Sequence, residues 1–298
     1  MGASLLACDW GTTNLRGWTL DAAGGVLAER ELPIGVSTLA PGEAARRFES
    51  EVRPALGAEG LPAILCGMVG SNLGWALAPY ADCPAGFDDL ARAALQVTPR
   101  ARIIPGLRCT GVVGAPDVMR GEETQVLGWL AQHPARQRGR QLVCHPGTHA
   151  KWVLVQDGRI VRFVTAMTGE LFAVLSRHSV LKSAAPATDT AAFQAGLDAA
   201  GDGGALAARL FSARSRVAGG DASADSTPSY LSGLLIGAEV AALPELLGYD
   251  APVVLLGDAT LCGHYERALQ RRNIASEVHD GKAAAIAGLL AVHRMGYS

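Results

Sequence analysis

Two stretches of this chain have the residue types of an anion-binding turn. In LLACDWGTTNLRGWTLD an apolar run ends on Asp9 and passes through Gly11, Thr12 and Thr13 before a second apolar run begins. Glycine lets successive backbone N–H groups approach phosphate oxygens, and threonine hydroxyls donate further hydrogen bonds. In LVCHPGTHAKWVLVQ the plan returns, with Cys144 at the place of Cys8, His145 at that of Asp9, Gly147 at that of Gly11 and Thr148 at that of Thr12. Two such turns facing each other would clamp a polyphosphate. Asp9 would then hold Mg²⁺ through water, because this ion keeps several waters and needs only one or two carboxylates beside the phosphates. His145 carries no such charge, so only the first turn is expected to hold the metal. The chain contains no G-x-x-x-x-G-K-[ST], which excludes a P-loop as the source of phosphate binding.

The elements around these turns alternate in type. LLACDW, GWTL and VLAEREL read as three strands, and GEAARRFESEVRPAL as a helix. PAILCG and ARIIPG read as short buried strands with the helical FDDLARAAL between them, and GEETQVLGWLAQ as a helix with an acidic first turn, which suits the helix dipole. The polar stretch HPARQRGR, residues 133 to 140, reads as a crossing between lobes, dividing the chain into 1–138 and 139–298. Beyond it the strand–turn–strand plan restarts, and this self-similarity predicts two related lobes. SARSRVAGGDASADSTPS reads as a mobile loop, and GKAAAIAGLLAV as a closely packed helix. At 298 residues and 49% hydrophobic content the chain can bury a large core, and a net charge of -2 gives no reason to expect nucleic acid or an anionic membrane as partner. Six scattered cysteines without C-x-x-C pairs, and no leader or long apolar stretch, point to the cytoplasm.

Six ordered motifs, DWGTTNLRGW, CGMVGSNLGW, MRGEETQ, PGTHAKW, MTGE and YLSGLLIGAE, together resemble the 2-dehydro-3-deoxygalactonokinase family of the sugar-kinase, Hsp70 and actin superfamily. The resemblance implies an α/β fold: two ribonuclease-H-like (actin-like ATPase) lobes, with mixed sheets flanked by helices and the active site in the inter-lobe cleft. It implies transfer of the γ-phosphoryl of ATP to the terminal (C6) hydroxyl of a 2-keto-3-deoxy sugar acid, 2-dehydro-3-deoxy-D-galactonate foremost, in galactonate catabolism. On that resemblance Asp9 is the metal carboxylate, and Gly11, Thr12, Thr13, Gly147 and Thr148 contact the phosphates. The superfamily's usual second-lobe acid is replaced by HPGTH, which leaves the metal's second protein ligand open.

GEETQVLG is similar to the GDQQAALFG-like segment that carries the catalytic aspartate in related carbohydrate kinases. That match sets Glu122 in the aspartate's place, with Glu123 as the fallback; the same acids also suit ordinary helix capping. A substrate carboxylate needs a cation or a helix N-terminus. Ser71 and Asn72, at an expected helix start in GMVGSNLGW, are candidates for it, with Arg16, Arg120 and Lys151 as the nearest cations. Trp75 suits a sugar face or the core equally, and Thr168 to Glu170 suit a ligand contact or a helix cap. APVVLLGDATLCGHYERAL resembles the superfamily's adenosine segment, which points to Gly257 and Asp258. A zinc hydrolase built on Cys144, His145 and His149 is disfavoured because Pro146 and Gly147 break the helix that an i, i+4 pair requires. A nucleotide-dependent sensor without catalysis, or a kinase of another small carbohydrate, is the alternative. A homo-oligomer is compatible with this sequence.

Overall fold

The computed structural model describes residues 2–183, 185–249 and 252–296. Its strands, in chain order, are β1 Ala3–Trp10, β2 Leu15–Asp21, β3 Val26–Leu32, β4 Ala63–Cys66, β5 Tyr80–Asp82, β6 Leu95–Thr98, β7 Ala101–Ile103, β8 Gly106–Thr110, β9 Pro116–Met119, β10 Arg140–His145, β11 Ala150–Gln156, β12 Arg159–Ala166, β13 Val253–Gly257 and β14 Ser276–Asp280. They form a sheet in the order β3-β2-β1-β4-β7-β6, a second in the order β12-β11-β10-β13-β14, and a small one in the order β5-β8-β9. Helices flank them, so the expected α/β class holds.

The repeat seen in the sequence is a repeat of topology. In the first sheet β1 pairs antiparallel with β2 and parallel with β4, and β4 runs parallel to β7. In the second, β10 runs parallel to β13, and β13 to β14. Each sheet thus places its first strand between a hairpin partner and a parallel strand. A strand in that position is covered on both faces, which explains the unbroken buried run Leu5–Cys8 in β1 and Gln141–Cys144 in β10.

The chain divides into two compact units: Met1–Arg140 with Val155–Phe163 and Gly281–Ser298, and Gln141–Leu154 with Val164–Asp280. The tip of the β11–β12 hairpin belongs to the first unit, where Ile160 bridges Ala85 and Arg159 binds Asp88 at 3.3 Å. The helix Gly281–Gly296 also belongs there, whereas the simple division at residue 138 had assigned it to the second lobe. It packs backbone to backbone on the helix Glu122–Gln132: a Cβ on Gly128 would lie 1.9 Å from the Ala284 carbonyl oxygen, and one on Gly288 would lie 2.0 Å from that of Thr124. Only glycine at both crossings allows this approach.

The first unit's core gathers Trp10, Leu15, Phe48, Val52, Leu65 and Ile103, with the Trp10 indole donating to the Ile34 carbonyl at 2.6 Å. The second gathers Cys144, Trp152, Phe193, Val240, Leu255 and Tyr265. Two expectations fail locally. No helix starts at Ser71: after β4 the chain makes a 3-10 turn at Met68–Gly70 and folds back, with Trp75 N–H bonded to Val69 O at 2.8 Å and Ala78 N–H to Gly70 O at 2.9 Å. Nor is 212–229 a loop. Ser212–Ala218 is a helix, anchored by the Ser212 hydroxyl on the Tyr230 hydroxyl at 2.7 Å and by the Arg216 guanidinium 4.1 Å above the Tyr230 ring. All six cysteines are free thiols, and among the described residues no helix is long and apolar enough to cross a membrane.

Candidate active site

The first turn is held by its carbonyls. Gly11 O accepts from Val36 N–H at 3.0 Å, Thr12 O from Ser37 N–H at 3.0 Å and from the Ser37 hydroxyl at 2.8 Å, and Thr13 O from Gly35 N–H at 2.9 Å. In a trans peptide the N–H points opposite the carbonyl, so the N–H groups of Thr12, Thr13 and Asn14 turn the other way. Among the described residues none of the three has a protein acceptor. Three successive N–H groups without a protein acceptor among the described residues thus lie beside two exposed threonines, and such a run of N–H groups suits an anion.

Asp9 lies one residue before the end of β1, paired with Arg16 across the hairpin and with Cys66 at the end of β4. These are the carboxyl ends of parallel strands, where open α/β sheets bind ligands. A Cβ on Gly67, whose φ is +89°, would sit 2.9 Å from Asp9 Oδ1, and one on Gly121 would sit 3.2 Å from the Gly67 Cα. The two glycines therefore let the start of the Glu122–Gln132 helix approach Asp9. Burial pushes the Asp9 carboxyl up to about 6; the Arg16 guanidinium pulls the other way, the Glu122 carboxylate adds to the rise, and the Cys66 thiol hydrogen bond opposes it. Arg16 itself is half-exposed and pairs with Glu31 at 3.7 Å.

Glu122 and Glu123 part company at this helix start. Glu123 is 1% exposed; its oxygens accept from Gly121 N–H at 2.7 and 3.0 Å and from the Thr124 hydroxyl at 3.0 Å. Burial, then the neighbouring Glu122 charge, pushes it up to about 8. It is occupied as a cap. Glu122 is partly exposed and accepts from Arg120 N–H at 3.1 Å with one oxygen.

Among the expected acid-binding groups, Arg120 stands apart. It is 8% exposed, donates from Nη2 to Ala78 O at 2.9 Å, and lies 4.4 Å over the Tyr80 ring. Its buried Nε and Nη1 have no acceptor among the described residues, and Nη1 would be 2.8 Å from a Cβ on Gly70. Ser71 spends its hydroxyl on Met68 O at 2.7 Å, Asn72 is exposed, and Trp75 packs on the core with its ring 5.2 Å from that of Phe48. Lys151 belongs to the other unit, buried, with Nζ on the Thr165 hydroxyl at 2.9 Å.

In the second unit Gly147 and Thr148 line a cavity of about 480 Å³ together with Thr168, Gly169, Phe172, Leu261, His264 and Tyr265. The turn is pinned from below: Glu170 N–H bonds Thr148 O at 2.9 Å, the Glu170 carboxylate pairs with His149, and a Cβ on Gly169 would lie 2.5 Å from Gly147 O. Gly147 itself faces open space, with nothing within 4 Å of the position its Cβ would take. Gly257, φ +151°, ends β13 with the Pro146 carbonyl 3.9 Å from its Cβ position, beside the turn. Asp258 caps the following helix by accepting from Leu261 N–H at 3.0 Å and does not line the cavity. The residues that do, Leu261, His264 and Tyr265, lie on that helix one and two turns on. Burial, then Arg267, lowers the His264 imidazole and favours its neutral form.

Sequence reasoning missed Glu239, buried beneath this cavity, although it is the last residue of the YLSGLLIGAE motif. The motif's glycines have a packing role: a Cβ on Gly233 would be 2.1 Å from Phe193 O. An acid ending such an apolar motif was the signal available. Among the described residues no group of three His, Cys, Asp or Glu side chains is placed to hold a metal ion.

Residues 9–292 match the family described as 2-keto-3-deoxy-galactonokinase. The 2-dehydro-3-deoxygalactonokinase of Escherichia coli (strain K12) is 35% identical over 294 residues, covering 98% of each chain. A crystal structure from Sinorhizobium meliloti assigned the same enzyme name is 36% identical, with a TM-score of 0.86 over 97% of this chain and 98% of that one. The activator of 2-hydroxyisocaproyl-CoA dehydratase from Clostridium difficile, solved with ADPNP bound, is 13% identical with a TM-score of 0.52, over 99% of this chain and 96% of that one. That last likeness bears on fold alone: the chain shares the fold of this nucleotide-bound activator. With its family profile matched from the first turn to the last helix, this chain belongs to the 2-keto-3-deoxy-galactonokinase family.

Proposed function

We infer that this chain transfers the γ-phosphoryl group of ATP to the terminal hydroxyl of 2-dehydro-3-deoxy-D-galactonate, with Glu122 taking the hydroxyl proton. The observation that carries the assignment is the convergence of Asp9, Gly67 and the Glu122 helix start at the carboxyl ends of β1 and β4, with the free N–H groups of the first turn beginning at Thr12, three residues after Asp9. Phosphoryl transfer needs alignment and charge neutralisation above all, with a carboxylate that orients the acceptor and accepts its proton late. Glu122 has the exposure for that and Glu123 does not.

Asp9 fits Mg²⁺. Its carboxylate, raised by burial and by a second acid nearby, has no ion-pair partner within the described residues, and hard divalent cations favour such oxygens. When bound, Mg²⁺ would neutralise developing phosphate charge. Thr12, Thr13, Gly147 and Thr148 hold phosphate oxygens in this reading, and the cavity behind Gly147 takes the nucleoside. Arg120, a buried guanidinium with two nitrogens that find no acceptor among the described residues, is the preferred cation for the sugar acid's carboxylate, with Ser71 and Asn72 shaping the loop around it. The reaction is assigned to the cytoplasm.

The test is ADP formation from ATP and Mg²⁺ across 2-keto-3-deoxy aldonic acids and plain hexoses, with the phosphorylated position read by ³¹P NMR. Turnover restricted to the six-carbon keto acids, at C6, is expected. ATP binding without sugar-dependent ADP release would replace the kinase by a nucleotide sensor, and preference for a hexose would reassign the substrate.

A further inference from the structure

The helix Thr227–Leu246 is buried along most of its length, yet it presents a carboxylate to the interior. Glu239, 7% exposed, accepts from the Trp152 indole N–H at 2.6 Å with one oxygen and from the Tyr265 hydroxyl at 2.8 Å with the other; the Thr168 hydroxyl is its third partner. No cation pairs with it among the described residues. Burial pushes the Glu239 carboxyl up, and its hydrogen bonds with Thr168, Trp152 and Tyr265 oppose the rise. The indole N–H can only donate, so it fixes Oε1 as an acceptor and leaves Oε2 to the Tyr265 hydroxyl.

Two of the three donors, Thr168 and Tyr265, line the 480 Å³ cavity. We propose that Glu239 is a positioning residue that sets the hydrogen-bonding sense of this cavity. As a carboxylate it holds the Tyr265 hydroxyl proton and draws that of Thr168, so that their oxygens have lone pairs to offer. The site then selects a ligand that presents N–H or O–H donors there: the base amino group or the ribose hydroxyls of an adenine nucleotide. The proposal rests on reading the cavity as the ATP site. It also gives the buried acid a role that general packing does not, since an apolar residue would fill the same volume without orienting either hydroxyl.

Calorimetric titration of the full chain tests this without requiring turnover. ATP is compared with 2′,3′-dideoxy-ATP, which lacks the ribose donors, and with ITP, which replaces the amino donor by a carbonyl. The wild type should prefer ATP to at least one analogue by about tenfold or more, the loss expected when a polar site meets a ligand lacking its hydrogen-bonding group. Glu239→Gln, whose amide donates to one of the two hydroxyls, should weaken ATP about tenfold and bring that ratio toward one. Trp152→Phe removes an equally short bond to the same carboxylate but frees no cavity hydroxyl; it should lower Tm and keep the ratio. If Glu239→Gln fails to fold, Tyr265→Phe carries the test and should shrink the ratio in its place. An unselective wild type, an unchanged ratio in Glu239→Gln, or equal loss of selectivity in Trp152→Phe overturns the proposal. Absence of sugar-acid phosphorylation would sink the kinase reading while leaving these ratios readable.

Discussion

Replacing Gly147 by alanine separates what the fold needs from what the ligand needs. Gly147 has an ordinary negative φ, and no atom lies within 4 Å of the position its Cβ would take. Nothing in the ligand-free protein therefore requires glycine there. Alanine should leave stability unchanged or raise it by about 0.4–1 kcal/mol, because it restricts the unfolded chain, a shift of roughly 1–3 °C for a chain of this size. In the phosphate reading, the added methyl occupies the space through which an oxygen approaches the turn's N–H groups. Losing one or two charge-assisted hydrogen bonds at about 1.5–3 kcal/mol each should raise KM for ATP by roughly 10–100-fold or more, with KM for the sugar acid nearly constant. Gly169→Ala is the contrasting control: its Cβ would fall 2.5 Å from Gly147 O and 2.8 Å from Thr148 Cα, so the turn must move and stability should drop by about 1–3 kcal/mol. Steady-state kinetics beside thermal melts decide the matter. Gly147→Ala with wild-type ATP kinetics would refute the phosphate assignment, and a destabilised Gly147→Ala would refute the geometric reasoning.

Three further outcomes are expected. Glu122→Gln should lower kcat by about 10²–10⁴ with ATP affinity nearly intact, measured by single-turnover ADP release and nucleotide titration. Asp9 is raised from 3.8 to about 6, so the folded ligand-free protein binds its proton more readily than the unfolded chain between those values; the cost of its charge is present above pH 6 and fades as pH falls toward 4. Because the residue is partly open to solvent, that cost is about 1–2 kcal/mol: Asp9→Asn should melt a few degrees higher at pH 7, lose the advantage by pH 4, and be inactive throughout. Arg120→Met should keep or raise Tm, since it removes a buried guanidinium without an acid, while KM for the sugar acid rises at least about tenfold at unchanged ATP affinity; melts and initial rates check both.

What was legible in the sequence was local. The two strand–turn–strand plans, one around Cys8 and the other around Cys144, stand in the structure, because unbroken apolar runs and a Gly-Thr turn are written in consecutive residues. The acidic first turn of the Glu122 helix was legible for the same reason. The approach of Gly67 to Gly121 was not, since neither glycine signals its partner across the chain. The same limit hid the meeting of Trp152, Thr168 and Tyr265 on Glu239, four elements joined by single side chains. It also misplaced the Gly281–Gly296 helix, whose small residues announced close packing but not on what. The loop expected at 212–229 failed because its polar composition concealed Ala213 and the arginine that covers Tyr230.

The interlocked glycines of the Glu122–Gln132 and Gly281–Gly296 helices also bear on how the molecule is born. During synthesis the segment bearing Glu122 leaves the ribosome long before the segment that clasps it, and until then the backbone at Thr124 and Gly128 lies bare. A nascent chain stalled ahead of Gly281 would therefore present an unclasped helix to chaperones and proteases, and catalytic competence would arrive only with the helix that closes on it.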